Sequence, residues 1–329
     1  MKISCAFPPV PQTADHVELA ERLGYDTAWI YDTPALQLDV WMTLALAGAR
    51  TDRIRLGPGV LIPSLRHPMV TAAAVASLVS IVGTPRVVVG VGAGFTGRHA
   101  LGQRPLRWAD VVQYVRDVRA LLQGDDAIID GARTRMLHWP GQAPARPISV
   151  EWFVAAGGPR GLAAARQLEA GVITTGTRSG TDVAGLPAVA LLGFGTVLAP
   201  DESPTSARVF ETAGPSAAVA YHAVHEQSPE LFNRLPDGDR YAELVAAIPD
   251  AERHLRLHEG HLTELNELDR QVLQPSTLRP SALTCHADEL PDRLGALAAT
   301  GITEVAFQPM GDVPRELRAF ADAARMEPS

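Results

Sequence analysis

Lysine is all but missing from this chain. Lys2 is the only one, and every other fixed positive charge is an arginine. A Schiff-base mechanism needs a lysine amine inside the site. Lys2 stands at the start of the first strand, the wrong end of a strand for such a site. Schiff-base aldolases and pyridoxal-phosphate enzymes are therefore excluded. Cysteine is almost as scarce. Cys5 and Cys285 lie far apart in the chain and read as free thiols. No apolar run approaches the roughly 18 residues that cross a bilayer, so no membrane partner is expected. Met1–Phe7 enters a strand-like segment directly, without a charged region followed by an apolar one, and a cytoplasmic location is expected. Positive charge is also in deficit. The net charge of −8 argues against a nucleic-acid partner, whose recognition rests on basic patches.

What is present is a regular alternation. Short apolar or β-branched runs occur at Ile3–Phe7, Thr27–Tyr31, Ile54–Ile62, Val87–Val91, Val150–Ala155, Val172–Thr175, Ala188–Leu198 and Glu304–Gln308. Between them lie stretches with helical periodicity, such as Trp108, Val111, Val115, Val118 and Leu122 on one face. Pro68 and Pro291 sit where helices start. Three joints look alike, at Gly24, Gly171 and Gly301: a helix stops at a glycine able to take the left-handed cap conformation, and a strand follows. Repeated units of this kind force parallel strands with right-handed crossovers. Eight strands favour closure into a (β/α)8 TIM barrel over an open doubly wound sheet. The 329 residues exceed the roughly 250 of a plain barrel, which leaves room for an insertion within one domain, residues 1–329. The polar, helical stretch from Pro200 to Pro280 fits that role, giving an insertion over about 200–285. It is expected between the seventh and eighth strands, over the barrel mouth.

Three strand ends carry unusual chemistry. The fourth run leads into Gly90-Val91-Gly92-Ala93-Gly94-Phe95-Thr96-Gly97, which contains a G-x-G-x-x-G string. A dinucleotide fingerprint would follow the first strand and open an amphipathic helix. This string follows the fourth, and Arg98–Arg107 with Pro105 comes next. A strand end stripped of side chains, so that a flat ring can approach the backbone at Gly92, Gly94 and Phe95, is the better reading. The fifth run leads into Gly157-Gly158-Pro159-Arg160-Gly161 at a helix start, where unpaired amides and the helix dipole favour an anion. Thr174-Thr175-Gly176-Thr177-Arg178 follows the sixth run, adding hydroxyls and one arginine. The two adjacent ends predict a shared phosphate site at Gly157, Gly158, Pro159, Thr175, Gly176 and Arg178. In the third run, Gly57-Pro58-Gly59-Val60-Leu61 reads as a bulge.

With these segments in hand, the chain resembles the bacterial luciferase-like superfamily, and within it the deazaflavin branch of the methylenetetrahydromethanopterin reductases. The likeness runs through Leu23–Ile30, Asp52–Gly57, Arg66-His67-Pro68, Gly90–Gly94, Ala155–Pro159 and Gly171–Ile173, and returns in Gly301–Phe320. It implies a barrel with an insertion, binding coenzyme F420 or reduced FMN, commonly as a homodimer. It further implies a cis peptide bond at Gly59–Val60, with Leu61 beside it, propping the ring. Asp32 matches an acidic residue near the ring, Gly157, Gly158 and Pro159 match the phosphate loop, and Arg178 matches a basic residue at the phosphate. The chain departs from the family at Thr33, where histidine is frequent, and at Phe95, where an acid is common. Transferred catalytic roles are more affected by these departures than cofactor binding.

The insertion contains Arg253-His254-Leu255-Arg256-Leu257-His258-Glu259-Gly260-His261. Helical spacing would put His254, His258 and His261 on one face, a pattern that can bind a metal with Glu259 as base. The string lacks the H-E-x-x-H spacing and Gly260 is a poor helix former, so no metal is expected. His258 or His261 could instead face a substrate as proton donor. The expected function is hydride transfer between F420 and a small organic substrate, in which positioning dominates and Asp32, His258 or His261 handles the proton. An FMN-dependent monooxygenase, a cofactor-binding barrel without turnover and, third, a metal-dependent hydrolase are the alternatives.

Overall fold

The computed structural model describes residues 1–176, 183–278 and 281–326. Eight strands form one parallel sheet: β1 (Lys2–Phe7), β2 (Thr27–Ile30), β3 (Arg55–Pro58), β4 (Val88–Gly92), β5 (Glu151–Ala155), β6 (Gly171–Thr174), β7 (Val189–Phe194) and β8 (Glu304–Gln308). Hydrogen-bonded neighbours run β3-β2-β1-β8-β7-β6-β5-β4. The ring is nearly closed by single bridges between Leu56 and Val87 and between Leu61 and Val91. At this seam the Leu61 N–H donates to Gly90 O and the Gly92 N–H to Leu61 O, both at 2.9 Å. A Cβ on Gly57 would stand 2.1 Å from Val88 O, so only glycine permits the approach.

The period of two along each strand sorts side chains between two cores. Ala6, Trp29, Val88, Phe153, Ile173, Ala190 and Ala306 fill the barrel interior. Trp29 meets Phe153 edge-on at 5.1 Å, and its indole N–H donates to Glu304 at 2.9 Å. Their alternates, such as Cys5, Phe7, Ile30, Val89, Val154 and Phe307, face the surrounding helices. Because both faces are covered, the strands read as near-continuous apolar runs. Both cysteines are buried and free.

The helices between strands include α1 (Thr13–Arg22), α2 (Val40–Gly48), α3 (Pro68–Val82), α4 (Phe95–His99), α5 (Trp108–Gln123) and α6 (Pro159–Gln167). The α3 start is fixed by Pro68 and by the His67 ring nitrogen accepting the Met69 N–H at 3.1 Å. Between β6 and β7 the described residues hold no helix. Gly24 and Gly301 take left-handed conformations (φ 88° and 92°), as the joints predict. The third joint differs. Glu169 adopts the positive φ, and Gly171 is the first residue of β6, pressed against the Phe153 ring. The run Ala188–Leu198 is also not one strand. Gly195 (φ 145°) breaks it, and Val197–Leu198 pairs instead with Cys285–His286 in a separate two-stranded ladder.

That ladder is the base of the insertion. Beyond it come α7 (Ala207–Gln227), α8 (Gly238–Ala246), α9 (Asp250–His258) and α10 (Glu267–Val272). The chain returns to the barrel through α11 (Leu290–Ala299) and ends in α12 (Val313–Ala323). The insertion has its own core of Phe210, Tyr221, Phe232, Tyr241, Leu257 and Leu268. Buried Glu316 of α12 anchors it, accepting from Arg208 at 2.9 Å and from Thr196 at 2.7 Å. No helix among the described residues is long and apolar enough to cross a membrane.

Candidate active site at the barrel mouth

Parallel strands bring all their C-terminal ends to one face, so the residues singled out after different strands lie around one mouth. Asp32 follows β2 and is buried. Its Oδ2 accepts from Arg66 at 2.6 Å and weakly from the Ile62 N–H at 3.4 Å, and Oδ1 has no hydrogen-bond partner. Burial raises the Asp32 pKa, and the Arg66 ion pair opposes that rise only in part. Arg66 also holds Asp39 at 2.9 Å and so keeps a partner on each side.

After β3 the Gly59–Val60 bond is cis, as the resemblance implies. The Val60 side chain lies against bare backbone: a Cβ on Gly90 or Gly92 would come within 2.8 Å or 2.9 Å of it. Leu61 then closes the seam. Gly94 caps α4 in a left-handed conformation (φ 81°, ψ 48°). A short helix therefore does open after the glycines, although not the amphipathic helix of a dinucleotide fingerprint. It is only five residues long and carries half-buried Phe95, which packs edge-on against His99 at 4.8 Å.

Next along the rim, Gly157, Gly158 and Pro159 are exposed at the start of α6, and no side chain caps that helix. A Cβ on Gly158 or Gly176 would meet nothing within 4 Å. Open space thus faces the first turn, whose amides lack intrahelical partners. Thr174 folds the β6 end into a tight turn, its hydroxyl donating to Gly176 O at 2.8 Å, and Thr175 and Gly176 are exposed. Arg178 lies outside the described residues.

The insertion closes over the β4 side. His254, His258 and His261 do not share a helix face, because α9 ends at His258 and Gly260 turns the chain with φ 65°. His254 lies beside Gly102 instead. His258 and His261 are buried together with a residue not marked by the sequence reading, His222 of α7. The His261 Nε2 is 3.1 Å from the Thr96 hydroxyl, and its Nδ1 is 2.8 Å from the His222 Nδ1. His222 Nε2 is 3.0 Å from Asp269, and His258 Nε2 is 3.3 Å from Glu226, which also binds His99 Nδ1 at 2.9 Å. Burial, and then the neighbouring imidazoles, hold His261 well below the usual histidine range. Burial lowers His258 as well, against the pull of Glu226. For His222 the readable trace is its spacing with Glu226, four apart on a helix.

A further cavity of about 500 Å³ opens where the ends of β1 and β8 meet the insertion, between Phe7, Pro8, Met310, Glu211 and Arg270. It lies away from the β5 and β6 loops in the strand order.

The luciferase-like monooxygenase family model matches residues 4–304, and the chain belongs to that family. Among curated relatives, a 5,10-methylenetetrahydromethanopterin reductase of Methanolobus tindarius is 31% identical over 170 residues, 50% of each chain. An F420-dependent glucose-6-phosphate dehydrogenase of Beutenbergia cavernae is 31% identical over 182 residues, 48% of this chain and 50% of its own. The chain thus matches about half the length of these relatives. Among solved structures, the coenzyme F420-dependent tetrahydromethanopterin reductase of Methanopyrus kandleri superposes with a TM-score of 0.65 at 18% identity, covering 99% of this chain and 100% of that one. A type II Baeyer-Villiger monooxygenase component from Pseudomonas putida, in complex with FMN, superposes with a TM-score of 0.60 at 15% identity, covering 100% and 97%. These last two likenesses concern the fold.

Proposed function

We propose that the chain is an oxidoreductase that transfers a hydride between coenzyme F420 and a small organic substrate at the barrel mouth. The observation that carries this reading is a pair of features at one mouth. A platform of Val60, Gly90 and Gly92 stands beside the uncapped first turn of α6, with open space at Gly158 and Gly176. The first suits a flat ring and the second an anion. The name of the Beutenbergia cavernae relative, an F420-dependent dehydrogenase, favours the deazaflavin. Gly59, Val60, Leu61, Gly92, Gly94 and Phe95 would hold the ring, and Gly157, Gly158, Pro159, Thr175, Gly176 and Arg178 the phosphate. The cofactor supplies the hydride chemistry. The chain's own work is to orient the reactants, exclude water and move a proton. Asp32 is suited to that last task through its unpartnered Oδ1, and His261 through Thr96, with His258 behind it.

A flavin-dependent monooxygenase is the second reading, favoured by the FMN held in a neighbour of the same fold. Absorbance titration of the protein with F420 and with FMN separates the two, and turnover of the bound reduced cofactor separates both from a barrel that binds without reacting.

A further inference from the structure

We propose that His222, His258 and His261 bind one divalent transition-metal ion of the Zn²⁺ class through their Nδ1 atoms, at the junction of the insertion and the barrel mouth. The three rings come from α7, the end of α9 and the turn after it, and pack with centroids 5.0–5.9 Å apart. All three are at least 97% buried, and one nitrogen of each lies within 4.8 Å of the others. Ligands around a tetrahedral ion at about 2.0–2.1 Å stand roughly 3.4 Å apart, a spacing that lies between the 2.8 Å separating His222 Nδ1 from His261 Nδ1 and the 4.8 Å limit of the cluster.

The hydrogen bonds decide which nitrogens are free. An ionised carboxylate only accepts. His222 Nε2, facing Asp269, and His258 Nε2, facing Glu226, therefore carry protons, and the Nδ1 atoms of both carry lone pairs. Carboxylates on the outer nitrogens are the pattern that orients metal-binding imidazoles. Both are themselves fixed. Asp269 is held in a capping box with Asn266, and Glu226 is also bound by His99.

A proton chain offers a competing arrangement. Thr96 could donate to His261 Nε2, and His261 Nδ1–H to His222 Nδ1 across 2.8 Å. That chain satisfies two rings and leaves the His258 Nδ1 buried with no partner. One ion satisfies all three. Three imidazoles suit zinc, copper, cobalt or nickel and not the oxygen-seeking Mg²⁺ or Ca²⁺. They also leave a fourth position open. A water there would take over the part in moving a proton assigned above to His258 and His261, but the metal site itself does not depend on the cofactor reading.

The test uses the full chain without a histidine tag and without cofactor. Metal content is measured after purification and after loading with Zn²⁺, and Co²⁺ is titrated while its visible absorption is followed. The expected result is one equivalent bound, with the intense spectrum of a tetrahedral Co²⁺ site. His222→Gln, His258→Gln and His261→Gln should each weaken Zn²⁺ binding more than tenfold, and Asp269→Asn by roughly 10–100-fold, measured against a chromophoric chelator. Absence of stoichiometric Zn²⁺ or Co²⁺ binding by the folded parent protein overturns the proposal, whatever the variants do. Loss of binding in His99→Gln with full retention in His222→Gln also overturns it, because the ion would then belong to the neighbouring His99, Glu226 and His258 group.

Discussion

Phe95 stands where the resemblance implies an acid, and its surroundings define what it can do. It is half-buried at the first position of α4, with its ring against His99. Phenylalanine neither donates a proton nor repels a charged ring; it offers an apolar face. The proton must then come from elsewhere at the mouth. Asp32→Asn should slow the chemical step at least tenfold while leaving cofactor affinity within a few-fold, because Arg66 keeps Asp39 as partner. Phe95→Glu should likewise reduce turnover more than binding. Single-turnover oxidation of reduced F420 reads both, and parent-like rates in Asp32→Asn would remove Asp32 from the mechanism. Gly158 offers a cleaner substitution. Its backbone is extended (φ −123°, ψ 165°) and a Cβ there meets nothing, so Gly158→Val should fold normally. The added side chain would fill the space left for a phosphate, and cofactor affinity should fall about tenfold or more. Equal dissociation constants for parent and variant would displace the phosphate from this loop.

At the scale of elements, the insertion should be sensitive to acid for a definite reason. His258 and His261 are held neutral, with pKa values below that of an unfolded histidine. In the window from the ordinary value near 6.5 down to the lowered ones, the unfolded chain binds more protons than the folded one. Stability should therefore be fully present above about pH 6.5 and fall as the pH drops through that window. Melting temperature of the metal-free protein measured from pH 8 to pH 5 should decline, and His261→Gln should flatten the decline. A variant whose slope matches the parent would show that His261 is not the group responsible. This device could not be read from the sequence. His258 and His261 were visible as residues, but their meeting with His222 depends on a turn at Gly260 and on the packing of α7. His254, His258 and His261 do not share a helix face because α9 stops at His258. The eight strands, by contrast, were legible, since burial on both faces leaves continuous apolar runs. The errors fell where a run hid a break, at Gly195, and where glycine was read as a cap, at Gly171.

For the whole molecule, α2 and α3 carry exposed apolar side chains. Met42 and Leu46 are 71% and 58% exposed, and Val70 and Ile81 are 54% and 48% exposed. Apolar side chains on adjoining helices with few charges form the kind of patch that monomers avoid. We propose that they are the interface of a homodimer. Light scattering after size exclusion should give twice the chain mass of 35.1 kDa, and a Met42→Glu, Leu46→Glu double variant should give the monomer. A monomeric parent protein at micromolar concentration would leave the patch without this role. The barrel itself, the insertion point and the glycine-rich mouth follow from sequence patterns that act locally. The substrate does not, because the insertion beside the mouth brings together residues distant in sequence, such as His222 of α7 with His258 and His261. The central claim is that this mouth holds F420 in preference to FMN. Titration of the protein with each, followed by absorbance, tests it most directly. Saturable, one-to-one binding of F420 at least tenfold tighter than FMN, weakened in Gly158→Val, is the predicted result. Tighter binding of FMN, or no binding of either, would contradict it.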